Sequence, residues 1–138
     1  PLRPYIRSIM ESQMMPKLEQ SIEYNTQVLN KNKQTTAQLK EYLSRLDKKA
    51  DKELVHPGLK FLKASIEYNE YLAEYVATME AEHEILGRML ETGEYDISYR
   101  TVSYKHILER KRSVENNLMK TQTEYNIAVK AYNLKRGM

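Results

Sequence analysis

"LEQSIEYNTQVLNKNKQTTAQLKEYLSRLDKKA", residues 18–50, is the stretch whose reading decides the fold class. Leu18, Ile22, Asn25, Leu29, Asn32, Thr36, Leu39, Leu43, Leu46 and Ala50 recur in it at alternating steps of four and three, without a slip. That spacing is the heptad seam of a helix that packs along other helices. Pro16, just ahead of it, suits the start of a helix, and His56-Pro57-Gly58 reads as a stop and turn. The first long helix is therefore expected over about residues 16–50.

Two more helices follow from the same argument. Leu62, Ile66, Asn69, Ala73, Val76, Glu80, His83, Gly87 and Leu90 form a second seam. Tyr68, Leu72, Tyr75, Met79 and Leu86 flank it and widen the apolar face, as a helix with two neighbours requires. Thr92-Gly93 ends this helix, with Gly93 at the position past the last turn that favours a left-handed residue. Asp96 is placed to cap a third helix, with Ile97, Thr101, Tyr104, Leu108, Lys111, Val114, Leu118, Thr121, Tyr125, Ala128 and Tyr132 inward. The expected bounds are about 57–91 and 97–135.

Short connections between long helices imply antiparallel neighbours. The expected fold is all-α: a coiled-coil-like, antiparallel, up-down-up three-helix bundle over residues 16–136, with a short N-terminal helical extension, residues 1–15. Charge supports this order. Residues 61–96 hold two Lys or Arg against nine acids, whereas 16–50 hold seven against four and 97–138 hold nine against three. An acidic second helix between two basic ones disfavours wrong pairings, although each exposed pair is worth only about 0–1 kcal/mol.

The pentapeptide Ser-Ile-Glu-Tyr-Asn occurs at 21–25 and again at 65–69, and Glu-Tyr-Asn returns at 124–126. The separations differ, and the register changes in the third copy, so the element reads as bundle-layer chemistry rather than a repeat. Antiparallel pairing sets Asn25 level with His83, and His83 level with Tyr104. These three are expected to form a buried polar layer that satisfies its own hydrogen bonds.

Catalytic and metal chemistry find little to work with. There is no Cys among 138 residues, hence no disulfide or thiolate, and no Gly-rich phosphate cradle or nucleophile elbow. Two Glu-x-x-His pairs occur, Glu53/His56 and Glu80/His83. His56 falls in the expected turn, and the other seams offer Asn, Thr and Tyr rather than further carboxylates. No enzyme activity, metal, cofactor or small-molecule substrate is expected, and seams this regular leave little room for a pocket. No apolar run approaches the roughly 18 residues that span a bilayer. With no secretory leader pattern visible, a cytoplasmic location is the default expectation.

Residues 125–133 read Tyr-Asn-x-Ala-Val-x-x-Tyr-Asn and resemble the YNxAVxxYN ending of bacterial LemA-type helical proteins. The resemblance covers nine residues, and that family's Trp-containing first helix has no counterpart in a chain without Trp.

Two features are left for interaction. Tyr5, Ile6, Ile9, Met10 and Met14 recur at helical spacing ahead of Pro16, beyond the expected reach of the other helices. An exposed stripe rich in Met and Tyr marks a contact surface, and a short helix folded back on the bundle is the alternative. The third helix also carries Lys105, Arg110, Lys111 and Arg112. The expected function is that of a non-catalytic structural or adaptor protein acting through protein–protein contacts, with homo-oligomers through the N-terminal stripe. The alternative is a module that binds an anionic surface, nucleic acid or membrane, through those four basic residues.

Overall fold

The computed structural model describes residues 1–95 and 97–137; Asp96, expected to cap the third helix, lies outside the described residues. The chain is all-α apart from one small hairpin. The elements are α1 (Pro4–Ile9), a π-helical turn (Met10–Met14), α2 (Met15–Ser44), α3 (Lys52–Thr92), β1 (Ser98–Tyr99), β2 (Val102–Ser103) and α4 (Tyr104–Lys135).

Pro16, expected to start the first long helix, lies inside continuous helix from Pro4 to Ser44. A proline inside an α-helix lacks the N–H for its i−4 partner, and its ring presses on that carbonyl. The preceding π turn absorbs the misfit: the Met15 amide donates to Met10 O, five residues back.

Pro57 is likewise accommodated. It lies inside α3, which starts at Lys52, so His56-Pro57-Gly58 is helix and not turn. The true connection lies earlier, where Asp47 accepts from the amides of Lys49 (2.8 Å) and Ala50 (3.2 Å), and Asp51 accepts from that of Asp47 (3.1 Å). Those amides hold the Asp47 carboxyl below its ordinary value. At the other end Gly93, at φ +76°, closes α3 where the sequence places it.

The third helix begins at Tyr104 rather than near 97. Residues 98–103 form an antiparallel hairpin pairing Ser98 with Ser103 and Tyr99 with Val102, turned by Arg100 at φ +57°. β-branched and aromatic residues favour strand there, and the Arg88 guanidinium donates to Ser98 O at 2.6 Å.

Two compact units divide the chain: residues 1–27 with 74–115, and residues 28–73 with 116–138. The first unit holds an aliphatic core of Met10, Leu18, Val76, Met79, Ile85, Leu86, Met89 and Ile107. The second relies on aromatic packing, with Phe61 in contact with Tyr125 and Tyr132 at centroid distances of 5.6 Å and 5.4 Å. Every residue of the first seam from Leu18 to Leu46 is buried or half-buried.

On α3 the most deeply buried positions are Leu72, Met79 and Leu86 of the flanking row, with Val76 of the seam beside them, while Ile66 and Glu80 of the seam are exposed. On α4, Ile107 is buried in place of Leu108.

Candidate functional site

The N-terminal residues expected to form one exposed stripe divide between core and solvent. Met10 is 2% exposed, and Ile6 packs beside it against the first unit's core. Ile9 is half-buried, and only Tyr5 and Met14 face outward. The reason is that the end of α3 and the hairpin reach this segment. Leu2 N donates to Gly93 O at 2.6 Å, the N-terminal ammonium lies 3.4 Å from Glu94, and Ile97 and Tyr99 join the same cluster. Residues 1–15 fall within the first compact unit.

Among the described residues no hydrogen bond joins the expected polar layer. The Asn25 amide donates to Ser21 O (2.8 Å) in its own helix. His83 instead meets the exposed Glu19 through Nε2 at 3.0 Å. Tyr104 is half-buried, and burial followed by the charge of Glu82 pushes its phenol up. The connection between α2 and α3 falls at 45–51, earlier than the turn expected at 56–58, and this shifts the register so that His83 lies beside Glu19 rather than level with Asn25.

Two of the four basic candidates are paired with acids of α3. Lys111 donates to Glu82 at 2.8 Å and Arg110 to Glu74 at 3.4 Å, both acids of α3. Burial pulls the Lys111 ammonium down, but the hydrogen bond and charge of Glu82, aided by Tyr75 and Glu115, raise it above its ordinary value. Lys105 and Arg112 are exposed.

Of the Glu-x-x-His pairs, Glu53/His56 lies within α3 and not in a turn. Among the described residues no group of three or more His, Asp or Glu is placed to hold a metal ion. No described helix is long and apolar enough to cross a membrane.

What the sequence did not single out is an apolar row on α4 in the second unit. Met119, Ile127 and Leu134 are 68%, 65% and 75% exposed. At 100° per residue they lie within one third of the helix circumference. Lys120 and Lys130 are exposed nearby on the same helix. Ile127 also borders a shallow groove of about 430 Å³ with Ala128, Ala131, Lys60, Lys63 and Glu124. The spacing of these three residues is visible in the sequence, but heptad periodicity marks only the inward positions.

No protein-family model matches the chain, and neither a curated protein nor a solved structure shows significant similarity to it.

Proposed function

We propose that the chain is a non-catalytic helical protein that works as a structural or adaptor module through protein–protein contacts. The carrying observation is the row Met119, Ile127 and Leu134, large apolar side chains left in solvent on one side of α4. Scattered surface apolars need no explanation, whereas a row along one helix face beside a groove suits a partner helix. The second unit holds 13 Lys and Arg against 7 acids, which favours an acidic partner surface.

The arrangement that presents this row is, in this proposal, an antiparallel up-down-up packing of the long helices. Contacts within each unit support it. In the first unit Glu19 meets His83 and Arg110 meets Glu74; in the second Asn69 meets Thr36 and Tyr125 meets Phe61 and Tyr68. Numbers rise on one helix as they fall on its neighbour.

The reading as an anionic-surface module has less support, because Arg110 and Lys111 are engaged by Glu74 and Glu82. The experiment is site-specific photo-cross-linking in the cells that make the protein, with the reactive group at position 127 and a control at position 33. Discrete adducts from 127 that Leu134→Glu abolishes support the proposal. Equal labelling from both positions, or none from 127, overturns it.

A further inference from the structure

The α2 seam changes character along its length. In the second unit it supplies Asn32 and Thr36 where heptad packing would take Leu, and α3 opposes them with buried Ser65 and Asn69. Asn69 Nδ2 donates to Thr36 Oγ1 at 3.0 Å. Small polar groups facing one another do not fill the space between helices to the density of an interior. A pocket of about 260 Å³ opens there, contrary to the expectation that regular seams leave no room.

Phe61, Tyr125, Tyr132 and Tyr42 line this pocket together with the Asn and Thr groups. Arg136 lies at its exposed rim, its guanidinium carbon 5.6 Å from the Tyr42 ring centroid and 5.5 Å from that of Tyr132. Tyr132 itself is only 1% exposed, and its hydroxyl has no hydrogen-bond partner among the described residues. A buried hydroxyl without a partner is costly and is the exception in folded proteins.

We propose that this pocket binds a small aromatic carboxylate, its ring among Phe61, Tyr125 and Tyr132 and its carboxylate on Arg136. Ring walls favour an aromatic guest through edge and offset contacts. The planar guanidinium, already stacked on two phenol rings, matches a carboxylate with paired N–H groups. The basic excess of the second unit favours an anion. The volume falls below the roughly 300–1,000 Å³ typical of sites for drug-sized ligands, so the guest is small. This inference stands apart from the contact row on α4.

The test is titration of the full chain with 2-naphthoate, with neutral 2-naphthamide as control, followed by amide chemical shifts in two-dimensional NMR. The expected result is saturable shifts centred on residues 36, 69, 132 and 136, with 2-naphthamide weaker by about tenfold or more, the factor that one charge-assisted contact supplies. Arg136→Gln removes the preference for the acid over the amide. Tyr132→Phe is expected to keep the fold, with an unchanged or higher Tm because an unpaired hydroxyl is gone. Equal shifts from the two probes, shifts centred elsewhere, no saturable shift at millimolar probe, or an unaltered preference for the acid in Arg136→Gln each overturn the proposal.

Discussion

The Lys111 ammonium donates to Glu82 Oε2 across 2.8 Å, and Glu82 is 7% exposed on the most apolar helix of the chain. Removing one member of such a pair leaves the other charge poorly solvated, which typically costs 3–5 kcal/mol when both are fully buried. Because the Lys111 side chain retains 21% exposure, Lys111→Met is expected to cost about 2 kcal/mol. The double change Glu82→Leu/Lys111→Met is expected to recover most of that loss. Urea denaturation of the two single variants and the double variant closes the cycle, and simple additivity would refute the pairing.

Lys111 and four tyrosines make stability fall on the alkaline side. Lys111 is raised by Glu82 despite burial, and burial raises Tyr75, Tyr104, Tyr125 and Tyr132. A group whose folded pKa lies above its unfolded value contributes stability in full below the unfolded value and loses it as pH rises through the folded one. The ordinary values are 10.0 for Tyr and 10.5 for Lys, so the urea midpoint is expected to drop as pH climbs past 10. A midpoint constant from pH 9 to 11.5 would contradict this.

Met10 is a core residue in a segment that looks like a free arm. Met10→Ala is expected to destabilise by about 3 kcal/mol, as for other buried Met truncations. Met14→Ala, four residues on and exposed, is expected to change stability by less than about 0.5 kcal/mol. Thermal and urea unfolding of both variants checks the contrast.

Gly58 marks a close approach of three helices. A Cβ there would collide with the Leu43 side chain and press within 3.3 Å of the Tyr132 ring. Overpacking costs about 1–3 kcal/mol, offset by the 0.5–1 kcal/mol that Ala gains over Gly inside a helix. Gly58→Ala is expected to lose about 1 kcal/mol, and Leu43→Ala is expected to cost less in the Gly58→Ala variant than in the parent chain. Equal costs in the two backgrounds would show that Leu43 gives way freely.

Periodicity in the sequence reports which face of a helix turns inward, and it does so well where one apolar row stands alone. The seam from Leu18 to Leu46 is an example, and Gly93 as the end of α3 follows from backbone conformation at one residue. On α3 two apolar rows run side by side, and local spacing cannot choose between Ile66 and Leu72 for the centre; packing against two neighbours placed Leu72 inside.

Proline rules are local as well. They predict a lost hydrogen bond at Pro16 and Pro57, but not whether a π turn or tertiary packing around Gly58 holds the helix together through that loss. By itself, then, the sequence determined the helical class and the inward face of α2. Only the tertiary structure decided that Met10 is core, which α3 acid each of Arg110 and Lys111 meets, and that Asn32 and Thr36 border a pocket. Each of these depends on which distant residue arrives opposite, and the energy of that meeting is written in two stretches of chain at once.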